Sequence, residues 1–305
     1  MVRKPFPSVD PLKRSSKPMQ LIHTDVVGPL QARSHSGKRY AIVFTDDYTR
    51  WSEIHFMALK SEAPAKFQLF SAKIEKYGKI EMLRTDGGGE YGSSEFTEYL
   101  RMKGIEHQIT APYSPASNGI SERTNRGFLD PLRCMLKHSG LPLTFWAEAA
   151  AVAIYIKNRL PHCAIVKRRM SPFEALNGEK PHLGHIRVFG CTAYVHIPVE
   201  TGRQKLDDRA KKCIFIGYTE TTSIWRLYDL ASKRVMRSRD VKFLETSFPF
   251  RTGSEIPKSG LDIPPAIYRS EPEEDSDYSD AQEAPSAAGP AQAEQPLRTR
   301  RGGGR

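Results

Sequence analysis

Cysteine is scarce in this chain of 305 residues: it has four, Cys134, Cys163, Cys191 and Cys213, and no two of them form a C-x-x-C pair. That spacing disfavours a disulfide framework and a cysteine-based zinc site, and the four read as reduced, semi-buried thiols of an intracellular protein. Long apolar runs are missing as well. No stretch approaches the roughly 18 apolar residues that span a bilayer, and the opening Met-Val-Arg-Lys-Pro lacks the apolar region of a secretory signal. Acidic charge is in short supply everywhere but at the C-terminus. The net charge is +11, yet residues 251–305 hold seven Lys/Arg against ten Asp/Glu, which leaves residues 1–250 at +14. Such a surplus opposes compaction by self-repulsion and favours approach to a polyanion, so nucleic acid leads the candidate partners, with mere solubility as the plain alternative.

Periodicity is absent at both ends. Residues 1–18 are basic and carry Pro5, Pro7, Pro11 and Pro18, which predicts a flexible leader. In residues 251–305 the segment Glu271 to Glu283 has seven acids and no base. It cannot bury enough apolar surface to offset its ordering entropy, so a disordered acidic tail is expected.

Between these ends the pattern is regular. Met19–Val27, stopped by Gly28-Pro29, then Tyr40–Phe44 and Ile54–Leu59 read as three strands with short links, an antiparallel meander. Phe67, Phe70 and Ile74 fall at helical spacing within Ser61–Tyr77, and Gly78 stops that helix. A strand over Ile80–Arg84, a helix over Ser93–Met102 with a Ser cap and a Gly104 stop, and a strand over Ile105–Thr110 follow. Pro112, Pro115, Asn118 and Gly119 mark a mobile loop before a helix that starts near Ile120 and an alanine-rich one over Thr144–Leu160. This order predicts an α/β fold: a ribonuclease-H-like mixed five-stranded sheet with flanking helices over residues 19–178. Val188–His196, Cys213–Tyr218, Ile224–Asp229 and Val235–Phe243, separated by turns at Thr201-Gly202 and Ala231-Ser232-Lys233, predict a small β-barrel over residues 185–246.

Three acids occupy places where side chains converge: Asp25 in a strand, Asp86 where a later strand ends, and Glu122 in the first turn of a helix. Taken singly each has a plain explanation, a turn or cap residue for the aspartates and a first-turn acid facing the helix dipole for Glu122. Taken together they suit phosphodiester exchange, in which two divalent ions about 4 Å apart activate the attacking oxygen and stabilise the leaving one. Mg²⁺ or Mn²⁺ takes oxygen ligands where zinc would want His or Cys. Asp25 would bridge, with Asp86 completing one metal position and Glu122 the other. Without metal, three gathered carboxylates repel, so the empty site is expected to be partly disordered.

The words around these acids carry a resemblance. Leu21-Ile22-His23-Thr24-Asp25-Val26-Val27-Gly28-Pro29, Leu83-Arg84-Thr85-Asp86-Gly87-Gly88-Gly89-Glu90-Tyr91 and Ala111-Pro112-Tyr113-Ser114-Pro115-Ala116-Ser117-Asn118-Gly119-Ile120-Ser121-Glu122-Arg123 closely resemble the integrase core of copia-type LTR retrotransposons. The likeness continues through Arg187-Val188-Phe189-Gly190-Cys191 and Cys213-Ile214-Phe215-Ile216-Gly217-Tyr218 into what looks like that family's SH3-like barrel, and covers about residues 19–246. It implies an enzyme that joins the 3′ ends of element DNA to target DNA, with Asp25, Asp86 and Glu122 as metal ligands, working as a homo-oligomer in the nucleus or in a cytoplasmic particle before nuclear entry. It also implies that Tyr113 to Gly119, with Tyr113 and Asn118, form a DNA-positioning loop, and that Arg123, Arg126 and Lys137 touch phosphates. A solvated helix face is the plain alternative for those three.

Several features depart from the family pattern. The family has a His/His/Cys/Cys zinc module upstream, and the chain begins past where it would end; the acidic tail resembles a variable linker, so the chain reads as one slice of a polyprotein. Gly87 stands where the family usually has Asn. The catalytic helix carries Gly127 and Pro131, and an interior proline costs about 3 kcal/mol or forces a kink. These departures keep open a second reading, a domesticated fragment that binds DNA or chromatin without cutting it. A third, a methyltransferase or nucleotide-binding enzyme suggested by Asp86-Gly87-Gly88-Gly89, lacks the G-x-G-x-x-G spacing and is preceded by the wrong strand order. His182 and His185 form an H-x-x-H with no further ligand nearby, read as surface and turn histidines.

Overall fold

A computed structural model describes residues 15–86, 88–109, 119–165, 170–198 and 203–251, with the backbone alone at 90 and 119–122. The first fourteen residues of the expected leader, Gly87, the loop with Tyr113 and Asn118, the Thr201-Gly202 turn and the tail beyond 251 lie outside the described residues.

The first sheet has the mixed five-stranded form expected. β1 (Leu21–Val27), β2 (Tyr40–Asp46) and β3 (Ser52–Met57) make the antiparallel meander, and β4 (Met82–Thr85) and β5 (Glu106–Ile109) add in parallel on the other side, giving the order β3-β2-β1-β4-β5. Because side chains alternate along a strand, β1 sends Ile22 and Thr24 to one face and His23, Asp25 and Val27 to the other. On the first face Ile22, Ile42, Phe44 and Leu83 pack against α1 (Ala63–Ile74) and α2 (Ser94–Lys103) through Phe67, Phe70 and Phe96. Phe44 stacks on Phe70 with centroids 4.6 Å apart. The α2 ends are those expected from sequence: Ser93 Oγ accepts from the Phe96 amide, and Gly104 turns left-handed at φ +65°.

The opposite face carries α3 (Gly119–Ser139) and α4 (Trp146–Lys157); a short α5 (Pro172–Asn177) follows. α3 continues through Pro131 as a single helix. The rung lost is the one to the Gly127 carbonyl, four residues back. Phe128, Leu132 and Leu136, all buried, hold both halves of the helix to the sheet and offset that loss by packing.

The second sheet comprises β6 (Thr192–His196), β7 (Ala210–Tyr218), β8 (Trp225–Asp229), β9 (Val235–Ser238) and β10 (Val241–Leu244), all antiparallel in the order β10-β6-β7-β8-β9. It rolls around Ala193, Val195, Cys213, Phe215 and Leu227, bringing Trp225 of β8 to 5.2 Å from Phe243 of β10. The single strand expected over Val235–Phe243 is therefore two, on opposite edges. Ser238 Oγ takes the Asp240 amide at 3.2 Å, a local bond that competes with the ladder and ends β9.

Two further expectations need correction. The thiols are not uniformly semi-buried: Cys134 and Cys163 are exposed, while Cys191 and Cys213 are buried, and burial pushes those two up to about 12 and about 11. His185 is no surface residue. It is 6% exposed, shares a 2.6 Å hydrogen bond with Tyr155 and accepts the Trp225 indole N–H on its carbonyl.

α4 is apolar on nearly every side because every side is covered. Trp146 meets Phe56 of β3 edge-on at 5.4 Å, and the same cluster takes in Phe128, Leu132 and Leu136 of α3 and Phe189, Ile214, Ile216 and Tyr228 from the second sheet. One hydrophobic core thus runs across both sheets. Among the described residues no helix is long and apolar enough to cross a membrane.

Candidate active site

β1 is the central strand, and its parallel register with β4 pairs Leu21 with Met82, Ile22 with Leu83 and His23 with Arg84. Continued two residues past its last pair, that register would set Asp86, the residue after β4, level with Asp25 on the neighbouring strand, roughly 4.8 Å away and on the same face. Both lie where the sheet opens: the first four residues of β1 are buried and the last three only partly, and Asp86 is likewise half-buried. The strand ends are anchored from the other face. Thr24 Oγ1 and the buried Tyr91 hydroxyl share a 3.1 Å bond that ties the turn after Asp86 to β1, and Thr85 Oγ1 bonds His107 Nε2 at 3.0 Å.

α3 brings the third element. Asn125 Nδ2 donates to Asp25 Oδ2 at 2.7 Å. Position 122 comes three residues earlier in α3, one turn away and on the same helix face as Asn125. The backbone thus carries residue 122 to the end of β1 that holds Asp25, while the Glu122 side chain, Tyr113 and Asn118 lie outside the described residues.

Two oxygens at this place are orphaned. Asp86 Oδ1 and Asn125 Oδ1 are buried without a hydrogen-bond partner among the described residues. A buried acceptor without a donor is costly, and beside a second carboxylate it is the environment a hard divalent cation relieves. The donor set is all oxygen, which fits Mg²⁺ or Mn²⁺ and not zinc. Among the described residues no three His, Cys, Asp or Glu side chains gather as a metal site.

Beneath Asp25 the floor is polar and fixed. His23, 1% exposed, lies 3.4 Å from Asp47, which is 3.3 Å from Arg50. Burial alone would raise Asp47, but the His23 ring 3.4 Å away, two bonds from Ser15 and the Arg50 charge hold its carboxyl well below the usual carboxylate range. Burial pulls His23 below its usual value against the pull of Asp47.

Arg123, Arg126 and Lys137 are all exposed on α3. Arg126 borders an open groove of about 420 Å³ with Asn125, Leu129, Asp130 and Arg133. Lys137 lies twelve residues beyond Asn125, about 18 Å along the helix. Arg126, Arg133 and Lys137 fall seven and then four residues apart, on one stripe. Sequence reasoning missed Asn125 and Arg133. Their signals were helical spacing, three residues after Glu122 and seven after Arg126.

Comparison with known proteins places this arrangement. Residues 15–115 match the integrase core domain, and residues 191–256 match the retroviral polymerase SH3-like domain. The retrovirus-related Pol polyprotein from transposon TNT 1-94 of Nicotiana tabacum is 38% identical over 240 residues, covering 78% of this chain and 18% of that protein. The corresponding polyprotein from transposon RE1 of Arabidopsis thaliana is 35% identical over 239 residues, covering 77% and 16%. The chain therefore spans less than a fifth of the length of these curated relatives. Among solved structures, the simian T-cell lymphotropic virus intasome in complex with PP2A regulatory subunit B56 gamma aligns at 19% identity and a TM-score of 0.44 over 76% of this chain and 80% of that one. That likeness is too low to add to the topology above. An integrase core domain followed by a retroviral polymerase SH3-like domain, in a segment related to plant Pol polyproteins, makes this chain a member of the copia-type retrotransposon integrase family.

Proposed function

We propose that this segment catalyses divalent-metal-dependent strand transfer, joining element DNA ends to target DNA. The proposal is carried by Asp86 Oδ1, buried without a donor among the described residues just past β4, the strand that pairs in parallel with the one bearing Asp25, itself held by Asn125. Asp25, Asp86 and Glu122 would hold two Mg²⁺ or Mn²⁺ ions. When bound, such ions make a 3′-hydroxyl more nucleophilic and stabilise the leaving oxygen of the target phosphodiester.

The remaining work falls to the protein's own groups. Asn125, donating to Asp25 Oδ2, helps hold the Asp25 carboxylate in one orientation. Arg123, Arg126, Arg133 and Lys137 offset phosphate charge along α3, the sequence-independent part of DNA binding. Tyr113 and Asn118 are assigned to the loop that positions the DNA end. The functional form is a homo-oligomer on DNA, acting in the nucleus after transit in a cytoplasmic particle.

The test is strand transfer between oligonucleotide ends and a target duplex in Mg²⁺ or Mn²⁺, with Glu122→Gln as control. Product from the parent protein and none from Glu122→Gln is expected, with metal dependence lost in Asp86→Asn. No product from the parent protein would leave only a DNA-binding scaffold, and equal product from all three would remove these carboxylates from the reaction.

A further inference from the structure

The far end of α3 is gripped by the second sheet at both its entry and its exit. Entering it, Gly190 (φ +81°) lies so close to the fully buried Ser139 that a Cβ at 190 would collide with the Ser139 Cβ. Leaving it, Phe250 lays its carbonyl against Gly140 (φ +72°), where a Cβ would also come within 2.9 Å of Arg251 Cα. His138 meets Phe248 edge-on at 4.6 Å. The two gripping segments are themselves joined, Thr192 N donating to Ser247 O at 2.8 Å. Beside this clamp, Ile214 and Ile216 of β7 and Tyr228 of β8 share one core with Phe128, Leu132 and Leu136 of α3. Among the described residues the two sheets meet directly at this seam.

α3 needs such a hold. It lacks a rung at Pro131, so its own hydrogen bonds stiffen it less than those of an uninterrupted helix. Contacts on both sides of that point must fix its line. From Ser139 to position 122 the helix covers about 26 Å, and a tilt of about 5° about the clamped end would move the catalytic end by about 2 Å, where a 1 Å misplacement can cost about a hundredfold in rate.

We propose that the second sheet is a clamp on the catalytic helix, in which Gly190 and Phe250 are positioning residues that act through Ser139 and Gly140 to set where Asn125 and residue 122 meet Asp25 and Asp86. The proposal rests on the strand-transfer reading of the site. It makes the second sheet part of the scaffold of the reaction, and not only a module that holds DNA.

The test uses the full chain. Gly190→Ala wedges the seam at Ser139, and Ser139→Gly removes the atoms it strikes. Gly190→Ala is expected to lower the single-turnover strand-transfer rate about tenfold or more while DNA affinity stays within about twofold, and the Ser139→Gly/Gly190→Ala double variant is expected to recover part of the rate, the strain of alanine at φ +81° remaining. A folded Gly190→Ala protein with parental rate, or one that loses DNA affinity in step with rate, overturns the clamp. Hydrogen exchange on the unaltered protein decides the matter if the variant does not fold or if the parent shows no strand transfer. β6, β7, α4 and the last turns of α3 are expected to open together, as one cooperative unit; strands of the second sheet that open alone, at lower free energy than α3, overturn the clamp whatever the fate of the strand-transfer reading.

Discussion

Glu148 sits on α4 with 5% of its surface exposed, and its Oε2 is buried without a hydrogen-bond partner among the described residues. Burial raises its pKa above the ordinary value, and the charge of Arg226 on β8 opposes that shift without cancelling it. Its folded-state pKa therefore exceeds its unfolded one, so the folded state holds the proton more tightly. The contribution of Glu148 to stability is fully present below about pH 4.5 and is lost as pH rises through the folded value. Glu148→Met keeps the helix propensity and most of the volume while removing the orphaned oxygen. Relieving a buried unsatisfied group is worth about 1–3 kcal/mol, or about 2–10 °C in Tm for a unit of this size. The assay is thermal unfolding of the parent, Glu148→Met and Glu148→Gln at intervals from pH 4 to pH 8.5. The Tm advantage of Glu148→Met should be smallest at pH 4 and grow with pH, and Glu148→Gln should show the same loss of slope. A pH-independent difference, or destabilisation by Met across the range, would refute this account of the seam between α4 and β8.

Other outcomes follow from the same geometry. Asn125→Leu removes a bond to a charged carboxylate worth about 1.5–3 kcal/mol, so strand transfer should fall about ten- to a hundredfold with its Mn²⁺ midpoint moved upward; an unmoved midpoint would contradict the assigned role. Pro131→Ala should raise Tm and increase strand transfer by restoring the rung to Gly127, and equal activity of the two proteins would show that the missing rung does not limit the site. Burial and the Arg50 charge lower the Lys157 pKa to about 8. The unfolded chain then binds more protons between about pH 8 and 10.5, and stability attributable to Lys157 should rise across that window, a rise that calorimetry should find missing in Lys157→Met. Arg126→Ala should weaken DNA binding on every sequence alike and reduce its salt dependence by about one charge.

Much of this structure was legible from local patterns. Ser93 and Gly104 marked the ends of α2 because capping is a short-range effect, and the antiparallel meander was marked by short links between its three strands. The strands that carry or precede Asp25 and Asp86 were legible for the same reason, since local apolar pattern marks both β1 and β4. What escaped notice depends on distance in the chain. Val235–Phe243 looked continuous because an apolar pattern does not record a Ser238 bond that stops one strand and sends the next to the opposite edge. His185 looked like a surface residue because its cover, Tyr155 and Trp225, lies thirty and forty residues away. Pro131 looked disruptive because propensity takes no account of the core beneath Phe128, Leu132 and Leu136. The apolar circumference of α4 was visible in the sequence, but not that the second sheet covers part of it.

The central claim is that Asp25, Asp86 and Glu122 gather to hold the metal that strand transfer requires. Crystals soaked in Mn²⁺ and measured for anomalous scattering test it most directly. Peaks within about 2.0–2.3 Å of carboxylate oxygens of Asp25 and Asp86, with Glu122 drawn into the same shell, are the predicted result. Mn²⁺ bound elsewhere, or none at this carboxylate pair at millimolar concentration, would contradict it.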